Sequence, residues 1–209
     1  MCASGNSLQD VSIPWINCPS SPLPRFVQPC GYPVQHSQYF GVSGAAPTAN
    51  WNDARGYWSN CPSASFSTRG VITHGDNTNI RDCTDGTSNT IIVGELSNYL
   101  IDSAGVTQES RPGVDWGWAM GQPNSWLNTW AASTVTVMYP PNARVYGSCG
   151  ASNGGLYYKR GNTPFTSAHT GGVQVLLTDG TVRFVSDNIN MDTLTYLSVR
   201  DDARVVGEF

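Results

Sequence analysis

Few side chains suited to chemistry stand at a recognisable spacing in this chain of 209 residues. His169 lies just ahead of Gly171 and Gly172, where an imidazole can ligate a metal, serve as a base, or donate a hydrogen bond to a nearby carbonyl. The last use is the commonest for a histidine at a strand entry. No nucleophile or carboxylate is spaced to work with it, and Ser167 sits in no Gly-x-Ser-x-Gly elbow. The expectation is therefore a protein without catalytic residues. The loop holding Asp76, Asp82 and Asp85 is the most oxygen-rich of the chain, and Asp179 opens another turn. Loop carboxylates and carbonyls suit calcium, which is the one cofactor that these residues leave as a candidate. Turn formation alone also explains Asp85-Gly86 and Asp179-Gly180, and the spacing of an EF-hand is absent.

The six cysteines, Cys2, Cys18, Cys30, Cys61, Cys83 and Cys149, are even in number and scattered. Metal sites generally use close pairs such as Cys-x-x-Cys, so disulfides and an oxidising compartment are the expectation. Nearest neighbours would pair, Cys18 with Cys30 and Cys61 with Cys83, each closing a small loop worth roughly 3 kcal/mol. Trp116, Trp118, Trp126 and Trp130 fall in a Gly- and Asn-rich region. They read either as a sugar-stacking platform or, preferably, as core or subunit interface. Glu95 and Arg183 would each be costly to bury alone and are expected to pair with each other or with backbone groups.

These residues need elements to hold them. Asp179-Gly180 between two Val- and Leu-rich runs predicts a β-hairpin with a two-residue type I′ loop. With Thr178 opposite Thr181, Val173, Val175 and Leu177 would share a core face with Val182 and Phe184. Residues 91–95 read as a buried strand, 134–139 as another, and Tyr99 to Ile101 with Val106 as a small hairpin. Residues 36–80 read as irregular loops. Asn190 predicts a cap for a short helix from Met191 to about Val199, followed by an edge strand at Val205 and Val206. Residues 1–35, rich in proline, should run as extended segments over the surface.

Two segments also resemble a family signature. His169, nine residues, then Asp179-Gly180 is the spacing of the prepilin-type H-X9-DG domain, a family of unknown function abundant in planctomycetes. Gly171, Gly172, Arg183 and Phe184 belong to the same segment. Residues 83–95 resemble the family's internal piece, in which Asp85-Gly86-Thr87-Ser88-Asn89-Thr90 precedes a short apolar strand ending in Gly94-Glu95. Cys18-Pro19-Ser20 and Ser37-Gln38-Tyr39-Phe40-Gly41 are similar to two further elements. The resemblance implies a pilin-like or pseudopilin-like head, a class that often carries calcium in a C-terminal loop. Members usually begin with a prepilin leader and a long apolar helix. No such stretch precedes Cys18, so the expectation is either a head freed of that helix by processing or trimming, which is preferred, or a branch that has lost the helix.

Charged residues make up only 12% and the net charge is −4. That balance leaves no basic footprint for nucleic acid, and no run is long enough to span a membrane. The expected class is α+β, mainly antiparallel β: one disulfide-stabilised, loop-rich domain over residues 1–209 with a short C-terminal helix. The expected role is a structural subunit of an extracellular or cell-surface assembly, a homo-oligomer or filament. The alternative is a carbohydrate- or solute-binding module using the tryptophans of residues 116–130.

Overall fold

Short strands rich in β-branched residues must find partners for their backbone groups, and the computed structural model shows which they find. It describes residues 9–28, 31–53, 55–57, 66–73, 77–101, 105–112, 133–143, 161–204 and 206–209. In chain order the strands are β1 (Phe26–Val27), β2 (Val34–Gln35), β3 (Tyr39–Ala45), β4 (Gly56–Tyr57), β5 (Phe66–Ser67), β6 (Ile91–Glu95), β7 (Leu100–Ile101), β8 (Thr107–Gln108), β9 (Thr134–Val137), β10 (Gly172–Leu177) and β11 (Val182–Ser186). Helix α1 (Met191–Leu197) follows. Five strands make one sheet in the order β11-β10-β6-β3-β9, antiparallel apart from the β3–β9 pair. The other strands pair as β1–β2, β4–β5 and β7–β8 ribbons. Among the described residues the mainly antiparallel β class with one short α-helix is thus what forms.

Local signals acted as expected at several places. The Asn190 side chain accepts hydrogen bonds from the Asp192 and Thr193 N–H groups, capping α1. Leu194 and Leu197 lie on one face of the helix and are fully buried against the sheet. Each such burial is worth roughly 1.5–3 kcal/mol. Strand β6 matches the predicted residues, β9 occupies the first part of 134–139, and β7–β8 form the small hairpin.

The β10–β11 hairpin departs from expectation by one residue. Val173 faces Val185 and Val175 faces Arg183, which places Leu177 opposite Thr181. The loop therefore holds Thr178, Asp179 and Gly180, and only Gly180 takes a positive φ, 91°. That is a three-residue turn closed by a glycine, in place of the two-residue form. A shift of one residue reverses the faces. Val182 and Phe184 join Gln174 and Leu176 on the face away from the core, 62% and 45% exposed, while Val185 turns inward.

The same alternation separates Glu95 from Arg183. Arg183, Val175 and Gly94 lie in register on one face, so Glu95 leaves the sheet on the other. Arg183 instead lies over the Phe209 ring, 5.8 Å from its centroid. The expected pairing between the two does not form, although Glu95 does engage a backbone group.

Three other expectations are corrected. Central strand β3 lies within the stretch read as loops. Its Gly41, Ser43 and Gly44 lower its strand propensity, but six of its seven residues are buried between β6 and β9, and that burial decides its state. Val206 forms no strand and packs against the core as irregular chain; Val205 lies outside the described residues. Cys18 and Cys83 are both buried free thiols, so the expected Cys18–Cys30 and Cys61–Cys83 bridges do not hold. Cys18 is held against the start of β3 with its sulfur toward His169, and burial pushes the Cys83 thiol up. Cys2, Cys30, Cys61 and Cys149 lie outside the described residues.

Among the described residues no helix is long and apolar enough to cross a membrane.

Candidate metal centre

Tyr39 and Glu95 stand opposite each other in the β3–β6 ladder, so both side chains leave the sheet on the face away from α1. Glu95 is fully buried there. One carboxylate oxygen accepts from Ser97 Oγ at 2.6 Å and the other from the Gln174 N–H at 2.9 Å. Its orientation is therefore set by β10 and by the turn after β6.

Cys18 arrives from the N-terminal segment. Its N–H donates to Gln38 Oε1 at 2.6 Å, and Gln38 N donates to the Ile16 carbonyl at 2.9 Å. Asn17 Nδ2 donates to the His36 carbonyl. These bonds stitch residues 16–18 onto the entry of β3 and place the thiol beside Tyr39.

His169 comes from the loop before β10. That loop runs beside residues 95–98: Thr166 N donates to the Glu95 carbonyl, Ser97 N to the Thr166 carbonyl, and Asn98 Nδ2 to the Ser167 carbonyl. Phe165 lies across Gly94, and a Cβ there would meet its ring at 2.1 Å. The glycine of the Gly94-Glu95 pair thus lets this loop close on the sheet. Gly94→Ala is expected to destabilise the fold by about 1–3 kcal/mol through overpacking, checked by urea denaturation.

The three chains converge. Cys18 Sγ lies 3.6 Å from His169 Nε2, and these atoms and a Glu95 oxygen all fall within 4.8 Å of one another. Cys18 and Glu95 are buried, whereas His169 is exposed, so one side of the cluster opens to solvent. The Tyr39 phenol is pushed up to about 12, first by burial and then by the neighbouring Cys18 and Glu95. Among the described residues this is the one group of three such side chains close enough to share an ion.

The calcium candidates among the described residues, Asp82, Asp85 and Asp179, each accept hydrogen bonds in turns. Asp82 accepts from the Asn79 N–H and closes a 3-10 turn. Asp179 accepts from the Thr181 N–H, which holds its carboxyl below the usual range. Asp85 accepts from the N–H groups of Asp202 and Ala203, and Asn89 Nδ2 donates to the Asp85 carbonyl. Burial, assisted by Asp85, pushes Asp202 up to about 6. Gly86 and Gly171 supply positive φ angles at two turns. Gly172 lets the Phe184 ring lie close over the strand. Asp76, Trp116, Trp118, Trp126 and Trp130 lie outside the described residues.

His169 was legible as a candidate ligand or base, but Glu95 was read as a structural residue, Cys18 as a disulfide partner, and Tyr39 was given no role. The available signal was that the Cys-Pro-Ser, Ser-Gln-Tyr-Phe-Gly, Gly-Glu and histidine segments each contribute one side chain to this place. No curated protein and no solved structure matches the chain. A family model labelled SBP_bac_10 matches residues 2–192, taking in all four segments, and the chain therefore belongs to the family described as protein of unknown function (DUF1559).

Proposed function

We propose that this protein is a non-catalytic structural subunit of an extracellular or cell-surface assembly, a pilin-like head whose copies associate through the face of the sheet away from α1. What supports this reading is an apolar row on that face. Val182 on β11 stands opposite Leu176 on β10, Leu176 opposite Val93 on β6, and Val93 opposite Gly41 on β3, over which the Ile72 side chain packs. Val182 is 62% exposed and Ile72 38%, so the row reaches solvent at both ends. The outer edge of β11 has no strand partner among the described residues. Exposed edges and contiguous apolar patches are the usual elements of self-association. A heterologous contact that does not close would extend into a fibre.

The carbohydrate-binding alternative rests on tryptophans outside the described residues, so the assembly reading is the one developed. Its test is sedimentation and electron microscopy of the native protein beside the double variant Val182→Lys, Phe184→Lys. Both side chains are exposed, so the variant retains its fold, which circular dichroism checks. Concentration-dependent association of the native protein, lost in the variant, is expected. A native protein that stays monomeric at every concentration, or a variant that associates equally well, overturns the reading.

A further inference from the structure

The buried carboxylate of Glu95 poses a physical question that the assembly reading leaves untouched. Its two hydrogen bonds come from neutral donors, and among the described residues no Lys or Arg forms an ion pair with it. An ionised carboxylate fully withdrawn from water is expensive unless a cation stands beside it. Its neighbours are a buried thiol and an exposed imidazole, both metal-binding groups when deprotonated.

We infer that Cys18, Glu95 and His169 form a zinc-type metal site, three protein ligands with a fourth position open to solvent. The donor set chooses the class of ion. Sulfur and imidazole favour a borderline-soft transition ion and disfavour calcium or magnesium, which take oxygen. The geometry agrees. In a tetrahedral zinc site, a sulfur at about 2.3 Å and a nitrogen at about 2.1 Å from the ion stand about 3.6 Å apart. Cys18 Sγ and His169 Nε2 are 3.6 Å apart.

The surrounding residues behave as an outer shell. Ser97 and the Gln174 N–H orient the carboxylate, Gln38 anchors the Cys18 backbone, and Tyr39 stands opposite Glu95 in the ladder. Such partners fix ligand orientation and tune the metal. A Cys–His pair could instead be an activated nucleophile, but its histidine needs a third group to orient it. Among the described residues no hydrogen bond orients the other ring nitrogen of His169, which argues for ligation. The exposed side at His169 leaves room for a water or for a donor atom from another molecule.

The test uses the whole chain, stripped with a chelator and titrated with zinc against a chromophoric competitor, and separately with cobalt(II). One zinc per chain is expected. Cobalt should give tetrahedral visible bands and a thiolate charge-transfer band in the near ultraviolet. Cys18→Ser should abolish the charge-transfer band, and His169→Ala, at an exposed position that tolerates the change, should weaken zinc binding by at least about 100-fold. Ser97→Ala should weaken it by about 10-fold, as loss of an outer-shell partner does. Cys83→Ser should change nothing. Absence of zinc binding in the native chain, or binding that survives Cys18→Ser and His169→Ala unchanged, overturns the inference.

Discussion

Lowering the pH from 6.5 to about 3 should remove roughly 5 kcal/mol of stability through His36 alone. The imidazole is fully buried, edge-on to the Phe40 ring with centroids 5.6 Å apart. Burial and then the charge of Arg111 push it down to about 3, while the nearby Pro112 carbonyl pulls slightly the other way. Neither ring nitrogen makes a hydrogen bond of normal geometry. The folded state therefore holds His36 neutral, and the unfolded chain binds the proton as soon as the pH falls below 6.5. Because the unfolded state binds more protons in that window, stability is complete above it and declines as the pH drops. Asp202, raised to about 6, works in the opposite direction over a narrower range, whereas Asp82, Asp179 and Asp201, held below the usual carboxylate range, add to the loss in acid. Urea denaturation midpoints at neutral and acid pH, compared between the native chain and His36→Leu, isolate the histidine. The leucine variant should have a markedly flatter acid limb. Identical slopes in the two proteins would show that His36 is not the titrating group.

Replacing the neighbouring Arg111 by methionine is expected to cost about 3–5 kcal/mol at neutral pH. The guanidinium is wholly buried. It donates to both carboxylate oxygens of Glu109, at 2.9 and 2.7 Å, and to the Pro24 carbonyl at 2.9 Å. A longer bond reaches the Ser37 carbonyl. One side chain thus ties the N-terminal segment, the entry of β3 and the residues after β8 together. Methionine fills much of the space but leaves the partly exposed Glu109 carboxylate with only the residue-111 backbone N–H and takes the donor from the Pro24 and Ser37 carbonyls, whose desolvation is then no longer offset. A second readout separates charge from packing. With the positive charge gone, His36 should titrate at a higher pH, visible in its imidazole NMR signals. Loss of less than about 1 kcal/mol in denaturation would mean that the network contributes little.

Much of the framework was legible locally. A cap such as Asn190 acts on N–H groups two and three residues away, so the start of α1 follows from its neighbours alone. The apolar runs of β6 and β9 were likewise readable because β-branched residues between turn signals need little further context. The hairpin was half readable: Asp179-Gly180 marked the turn, but whether its loop holds two residues or three depends on how β10 meets β6 and β11. Leu176 faces Val93 and Leu177 faces Ile91, across a bulge that no local pattern announces. That single residue of register decided which side of Val182, Phe184 and Arg183 meets solvent.

The residue types, the four motif segments and the strand-forming runs were determined by the chain itself, because each depends on chemistry within a few residues. What the tertiary structure alone decided is that Cys18, Tyr39, Glu95 and His169, spread over 151 positions, meet at one end of the sheet. It also decided that Cys18 faces a histidine and not another cysteine. Contacts between distant segments follow from strand order and register, and these are settled only when every strand has buried its face and paired its backbone at once.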